Sequence, residues 1–163
     1  MSTIPPVSII SPHFPDCFYR VAIKGLCVRD EKLLLCHDFA GNLANTGGAW
    51  ELPGGGMEFG HGFEETLRKE VREEMGLEVT WVADKPLYIW HMKRERMRGM
   101  DWFHILFLAF PFDVQNLDII PSEECRAIKF FSKEDLLKER MLTDQTRPLL
   151  GLFNPEDFAQ LEY

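Results

Sequence analysis

The spacing of hydrophobic and polar residues along this chain predicts one domain of strands with a few helices. Two apolar runs at 18–30 and 33–39 are joined by a short polar turn, DEK, which favours a β-hairpin. The next segment, 40–48, consists of turn-forming residues and is expected to be a loop. Further short apolar runs predict strands at 49–52, 78–83, 86–92, 101–112 and 127–131.

Residues 63–75 have the spacing of an amphipathic helix instead. Four apolar side chains recur there at intervals of four: Phe63, Leu67, Val71 and Met75. Gly76 is placed to end this helix, because glycine adopts the left-handed conformation that follows a last helical turn. A second helix is predicted after Ser132, whose hydroxyl can cap it ahead of Glu134 and Asp135. The pattern is typical of an α/β domain.

The length and the net charge of the chain limit the number of domains and the kinds of binding partner. The chain of 163 residues suits one domain with a real core and is short for two. We expect residues 1–16, which are rich in proline, to form a flexible arm ahead of a single domain at 17–163. The formal net charge of −8 argues against binding to a nucleic-acid polymer, which requires basic surface. Binding of a small nucleotide is not excluded, because a divalent metal ion can neutralise the charge of the nucleotide.

The spacing of the cysteines and the lack of a recognisable signal peptide favour a cytoplasmic location. The 4 cysteines are scattered without CxxC spacing, as expected for free thiols in a reducing compartment. The first residues lack the basic start and long apolar stretch of a signal peptide. The longest apolar run, 105–112, is too short to cross a bilayer, so no membrane association is expected.

The helix at 63–75 crowds negative charge near its C-terminal end. Glu70 and Glu74 stand four residues apart, which stacks like charges at a cost of roughly 0.2–0.5 kcal/mol. Glu73 and Glu74 fall in the last turn, where the helix dipole favours cations by roughly 0.3–1 kcal/mol. A solvated acidic face is the ordinary interpretation. A bound divalent cation would turn both penalties into attraction, and Mg²⁺ or Mn²⁺ suits a site made of oxygen ligands.

The glycine-rich stretch before the helix, PGGGMEFGHG, is a weak signal on its own. It lacks both the GK[ST] of a P-loop and the GxGxxG of a dinucleotide site. Together with the helix, however, GGGMEFGHGFEETLRKEVREEMGL resembles the signature of the Nudix hydrolases, G-x5-E-x7-R-E-U-x-E-E-x-G-U with U aliphatic. The preceding AWELPGG also looks like the family's approach to this motif. The matching positions are Gly55, Glu70, Val71, Glu73, Glu74, Gly76 and Leu77.

This resemblance implies a Nudix-type α/β/α sandwich with a mixed sheet and a glutamate-rich loop–helix–loop. It also implies a hydrolase that acts on phosphorus anhydrides and requires Mg²⁺, with Mn²⁺ as an alternative. By the same resemblance Glu70, Glu73 and Glu74 would bind the metal and take part in catalysis, with the carbonyl of Gly54 as a further ligand.

Members of the family commonly add an acidic residue from outside the motif. Our candidate for this catalytic position is Glu124, which precedes a predicted strand, with Glu123 as the second choice. The ordinary interpretation of either residue is an exposed loop charge.

Two positions depart from the family pattern. His61 stands where the family has its first glutamate, and Lys69 stands where it has arginine. Lysine has a single movable charge where arginine has a planar fork, so Lys69 is expected to orient a carboxylate less firmly. His61 is interpreted either as a surface histidine or as a contact to substrate phosphate. The metal-binding glutamates match the family pattern, so metal binding is expected to be retained. The two departures can lower the catalytic rate.

The sequence says less about the substrate. A basic segment at 93–99, predicted as a loop, contains Arg94, Arg96 and Arg98. It is either a solvated hairpin tip or a clamp on a distal phosphate. Trp102 beside this loop can stack on a base or sugar, and Arg20 on the first strand is a further candidate for substrate binding.

Three functions therefore stay open. The first is Mg²⁺-dependent hydrolysis, by metal-activated water, of a pyrophosphate bond in a nucleoside diphosphate derivative of the ADP-ribose or nucleotide-sugar type. The second is a house-cleaning pyrophosphohydrolase for oxidised or non-standard nucleoside triphosphates. The third, motivated by the two departures, is a nucleotide-binding module of low activity, because a fold does not determine a function. The partner is a small nucleotide in each case, and the oligomeric state is open, with a homodimer among the options.

Overall fold

A computed structural model describes residues 17–38, 48–97 and 100–161, without the side chains of residues 17, 18, 95–97 and 100–103. The predicted arm at 1–16 and most of the predicted loop at 40–48 lie outside the described residues. The strands, in chain order, are β1 (Cys17–Leu26), β2 (Val28–Arg29), β3 (Lys32–Asp38), β4 (Ala49–Glu51), β5 (Val79–Val82), β6 (Tyr88–Met97), β7 (Met100–Val114) and β8 (Ala127–Phe131). The helices are α1 (Phe63–Met75), α2 (Lys133–Lys138) and α3 (Leu149–Leu152), followed by a 3-10 turn at Pro155–Phe158.

The described strands form two sheets. In the first sheet, β7 pairs in parallel with β1 and antiparallel with β5 and β6, so this sheet is mixed as predicted. In the second sheet, β3 pairs antiparallel with β2, β4 and β8. β3 is also linked to the residue that follows β1, because the Leu34 N–H donates to the Cys27 carbonyl at 2.9 Å.

Two of the predicted strand boundaries are wrong. The apolar run at 18–30 is divided at Cys27, so β1 pairs with β7 and only β2 forms the hairpin with β3. The hairpin turn itself is confirmed, since Asp30 and Glu31 have the positive φ values of 49° and 62° that a two-residue turn requires.

The basic segment at 93–99 is largely strand rather than loop. β6 extends to Met97 because its backbone pairs with β7 from Tyr88 opposite Ala109 to Glu95 opposite Trp102. Pairing with a neighbouring strand, rather than the polarity of the segment, decides where a strand ends.

Both helix predictions are confirmed, and their ends have the expected chemistry. α1 begins after Gly62, which provides no side-chain cap, and ends at Gly76 with φ of 68°. α2 follows Ser132, whose side chain accepts from the Asp135 N–H while the Asp135 side chain accepts from the Ser132 N–H. No helix in the described part of the chain has both the length and the hydropathy to span a bilayer.

The sheets are covered on both faces. On one face Leu67, Val71 and Met75 of α1 are fully buried against a cluster that includes Ile23 and Phe112. On the other face, residues of α2, α3 and the 3-10 turn complete a second cluster with the strands. Burial of each large apolar side chain contributes roughly 1.5–3 kcal/mol. The arrangement is the predicted α/β/α sandwich, and α1 packs against β1 and β5.

Candidate active site

A glycine-rich loop, residues 53–57, runs beside β1 and leads towards α1. The Ile23 N–H donates to the Gly55 carbonyl at 2.8 Å, which ties the loop to the strand. Gly54 has a φ of 118°, and a Cβ at this position would lie 2.2 Å from the Ile23 carbonyl oxygen. Only glycine fits there, because both the backbone conformation and the space exclude a side chain.

Glu74 is the most buried carboxylate facing this loop. It lies on the inner side of α1 and is 7% exposed. Its Oε2 accepts a hydrogen bond from the Gly54 N–H at 3.1 Å. Burial raises the pKa of Glu74 from 4.5 to about 8, opposed by the positive charge of Lys24 and by the Gly54 N–H. The site therefore needs additional positive charge for this side chain to be a carboxylate at neutral pH.

Glu70, one turn earlier on α1, rests against the glycine-rich loop. A Cβ on Gly55 would lie 2.5 Å from the Glu70 Oε2, so the missing side chain of this glycine makes the room for the carboxylate. Burial raises the pKa of Glu70, and the charges of Glu73 and Glu124 raise it further.

Glu124 reaches the same place from a distant part of the sequence. Glu70, Glu74 and Glu124 each offer a carboxylate oxygen within 4.8 Å of the others, and we call these three residues the carboxylate cluster. Three anionic oxygens at this separation fit a hard divalent cation, which prefers oxygen ligands. The residues present therefore fit the metal that the sequence motif implies.

Ser122 explains how Glu124 is positioned. Its hydroxyl donates to the Glu74 carbonyl at 2.7 Å and accepts from the Glu124 N–H at 3.2 Å. The turn that carries Glu124 is thereby attached to the C-terminal end of α1. No sequence signal pointed to Ser122, because the contact joins segments that lie 48 residues apart.

The other two predicted metal ligands, Glu73 and the Gly54 carbonyl, do not belong to the carboxylate cluster. Glu73 is exposed, and among the described residues it is not part of the carboxylate cluster, although its charge acts on Glu70. The Gly54 carbonyl accepts a hydrogen bond from the Lys24 Nζ at 2.6 Å. Both residues stay predictions as metal ligands.

Lys24 and Glu51 are site residues that the sequence reasoning missed. Lys24 is 5% exposed and donates to the carbonyls of Gly54 and Leu52. Burial raises the pKa of Glu51, while the charge of Lys24 opposes that shift. A signal for Lys24 was present, since Arg20 and Lys24 share one face of an otherwise apolar strand by the two-residue alternation of β-structure.

The carboxylate cluster opens onto a cleft of about 350 Å³. Arg20 lines this cleft, and its guanidinium lies over Gly56, where a Cβ would come within 1.7 Å of a guanidinium nitrogen. Phe107 lies on the apolar side of the cleft and stacks on Trp90 with ring centroids 5.1 Å apart. The Trp90 Nε1–H donates to the Gln145 carbonyl at 3.0 Å, which anchors another residue of the lining.

The predicted substrate-binding residues divide into two groups. Arg20 lines the cleft, whereas Arg94 is half-buried on the same face of β6 as Trp90, four residues farther along the strand. Arg98 lies outside the described residues, as do the side chains of Arg96 and Trp102. The structure thus unites Arg20 with the carboxylate cluster and leaves the other four as predictions.

Of the two departures from the family motif, His61 lies two residues before α1 and Lys69 lies in the middle of this helix. Lys69 donates to Glu58 at 2.8 Å, so its ammonium is paired outside the carboxylate cluster. The ring nitrogens of His61 lie 3.7 Å from Glu58 and 3.9 Å from Glu65. Among the described residues His61 is partly buried and does not line the cleft beside the carboxylate cluster, and both interpretations of this residue stay predictions.

Comparisons with known proteins find similarity in sequence and in fold. A family model described as NUDIX domain matches residues 18–153. The chain is 34% identical over 95 residues to nucleoside triphosphatase NudI of Enterobacter sp. (strain 638), a match that covers 55% of this chain and 65% of that protein, just under two thirds. It is 29% identical over 138 residues to nucleoside triphosphatase NudI of Escherichia coli O81 (strain ED1a), covering 82% and 97%. The solution structure of the E. coli ORF135 protein superposes with a TM-score of 0.65 and 25% identity, covering 83% of this chain and 88% of that one.

Proposed function

We propose that this chain, which belongs to the Nudix family of hydrolases, cleaves nucleoside triphosphates to a nucleoside monophosphate and pyrophosphate. Hydrolysis of pyrophosphate bonds in nucleoside derivatives follows from family membership. The choice of triphosphates is supported by the E. coli relative named nucleoside triphosphatase, which is matched over 97% of its length. We therefore prefer the second function derived from the sequence to the nucleoside diphosphate derivatives placed first there.

The observation that carries the proposal is the carboxylate cluster at the mouth of a cleft that also contains Arg20. Glu70, Glu74 and Glu124 would hold the divalent ion, with Glu73 and the Gly54 carbonyl as the further ligands that the motif implies. When bound, Mg²⁺ or Mn²⁺ supplies positive charge that polarises a phosphoryl oxygen and lowers the pKa of a water molecule.

The side chains of this protein bind and orient the substrate. Arg20 offers a planar fork of N–H donors to phosphate oxygens, and its position over Gly56 restricts the orientations it can adopt. On the apolar side of the cleft, Ile105 is 7% exposed and would give the sugar or base a small apolar surface, with the fully buried Phe107 beside it. The carboxylates of the cluster also line the cleft, so they would be available to accept a proton from the attacking water.

A substrate panel with Mg²⁺ tests this function directly. We expect turnover of ribo- or deoxyribonucleoside triphosphates with release of pyrophosphate, detected by an assay that distinguishes pyrophosphate from inorganic phosphate. A higher kcat/KM for ADP-ribose or a nucleotide sugar would replace the proposal with the nucleoside diphosphate class. Nucleotide binding without any turnover would indicate the binding module.

Replacing Arg20 by alanine is expected to raise KM for the triphosphate about 10- to 100-fold and to change kcat less than about threefold. The loss corresponds to one charge-assisted contact to phosphate, worth roughly 1.5–3 kcal/mol. Steady-state kinetics at saturating Mg²⁺ measures both parameters. Arg20→Lys keeps the charge without the fork and should fall between wild type and Arg20→Ala.

Arg72→Ala is the matched control for this substitution. Arg72 is exposed on α1 and pairs with Glu78 at 3.0 Å, outside the cleft lining within the described residues. Its replacement should leave KM unchanged. An unchanged KM in Arg20→Ala would remove Arg20 from the substrate-binding residues.

A further inference from the structure

Lys24 is a buried cation inside the candidate site, and the reaction proposed above assigns it no role. The side chain is 5% exposed and projects from β1 towards the glycine-rich loop. Its Nζ donates to the Gly54 carbonyl at 2.6 Å and to the Leu52 carbonyl at 3.3 Å. An ammonium group loses its hydration on burial, so a lysine in this position needs negative charge nearby.

Three glutamates lie close enough to Lys24 to be affected by its charge. The positive charge of Lys24 lowers the pKa values of Glu51, Glu70 and Glu74, against the larger effect of burial in each case. Two of these residues belong to the carboxylate cluster. Lys24 also lines the cleft onto which the carboxylate cluster opens, so it faces the same group of oxygens that would hold a divalent ion.

We propose that Lys24 is a positioning residue that acts as the resident cation of the metal-free site. It holds the Gly54 carbonyl and partly neutralises the cluster until a divalent ion enters, and its charge lowers the affinity for that ion. The inference rests on the proposed function only in requiring that the cluster takes up a divalent cation.

The physical basis is competition between two cations for one set of oxygens. An ammonium and a divalent ion repel each other strongly in a site of low effective dielectric constant. Lys24 also occupies the Gly54 carbonyl, which the family motif implies as a metal ligand. The consequence is weak binding of metal alone and tighter binding when the negative charge of a nucleoside triphosphate joins the site.

Lys24→Met tests the charge at nearly constant side-chain length. Calorimetric titration of the full chain with Mg²⁺, without nucleotide, should show about tenfold tighter binding than in wild type. In EDTA the melting temperature should be lower than that of wild type, and Mg²⁺ should raise it by more than in wild type. Lys24→Arg keeps the charge and should bind Mg²⁺ within about twofold of wild type.

Two further variants make the test decisive. Lys24→Gln is neutral but keeps an N–H donor for the Gly54 carbonyl, so it should also bind Mg²⁺ more tightly, even if Lys24→Met fails to fold. Lys85→Met removes an exposed lysine and should change nothing. A purely structural role for Lys24 would lower the melting temperature without tightening metal binding.

The outcomes separate this inference from the proposed function. Mg²⁺ uptake by wild type with equal or weaker uptake by Lys24→Met and Lys24→Gln would overturn the role of Lys24 and leave the proposed function standing. Absence of metal uptake by wild type and by every variant, with or without nucleotide, would overturn both.

Discussion

Replacing Glu74 by glutamine is expected to lower kcat for the best nucleotide substrate by about a thousandfold while the protein stays folded. Glu74 is the innermost member of the carboxylate cluster, and the amide keeps its volume and its ability to accept from the Gly54 N–H. The substitution removes one negatively charged ligand that would face the divalent ion. A loss of roughly 4 kcal/mol in stabilisation of the transition state corresponds to this factor.

Kinetics with Mg²⁺, together with circular dichroism, measures this effect. Glu65→Gln is the matched control, because it makes the same chemical change at an exposed position of the same helix and should retain the wild-type kcat. A Glu74→Gln variant with the wild-type rate would show that the cluster is not the catalytic centre.

In the metal-free protein, the free energy of unfolding is expected to fall as the pH rises from about 4.5 to about 8. The pKa of Glu74 is 4.5 in its ordinary state and about 8 in the folded chain. Between these values the folded state binds a proton that the unfolded state has released, so a rise in pH favours unfolding. At about 1.4 kcal/mol for each unit of pKa, the loss attributable to Glu74 is on the order of 5 kcal/mol.

Other carboxylates act in the same window or below it. The raised pKa values of Glu51 and Glu70 give the same sign, so they add to the fall with pH. The pKa of Asp135 is lowered by its bonds to Ser132, and the stability it contributes is lost only in more acidic solution. The window from pH 5 to 8 therefore isolates the buried glutamates.

Chemical denaturation in EDTA at several pH values across this window provides the measurement. Glu74→Gln should show a much flatter profile and should be more stable than wild type at pH 8. Saturating Mg²⁺ should flatten the wild-type profile, because a bound cation favours the carboxylate form. A flat wild-type profile in EDTA, or an equal slope in Glu74→Gln, would contradict the assignment of a raised pKa to Glu74.

The position of Lys24 connects these two predictions. Its charge has the largest effect among those that lower the pKa of Glu74 in the absence of metal. Because this internal cation neutralises the site only in part, the protein can fold without metal and is stabilised further when a divalent ion binds. This arrangement suits the substrate proposed above, because a nucleoside triphosphate is itself a strong ligand for Mg²⁺.

The sequence by itself determined the features that depend on nearby residues. The structure confirms three such features: the period of four in α1, the glycine that ends this helix and the serine that caps α2. Each of them depends on residues that are three or four positions apart. The spacing of the glutamates on α1 also belongs to this group, because helical geometry places Glu70 and Glu74 on neighbouring turns. The family resemblance rests on the same local motif.

Only the tertiary structure decided which residues from distant segments join the site. Glu124 is attached to α1 through Ser122, and Lys24 donates from β1 to the Gly54 carbonyl. Among the described residues Glu73 is not part of the carboxylate cluster, although it directly precedes Glu74. The length of β6 and the division of the first apolar run likewise depend on pairing with β7. The physical reason is common to all of them: hydrogen bonds and charge contacts between segments far apart in sequence leave no periodic pattern in either segment.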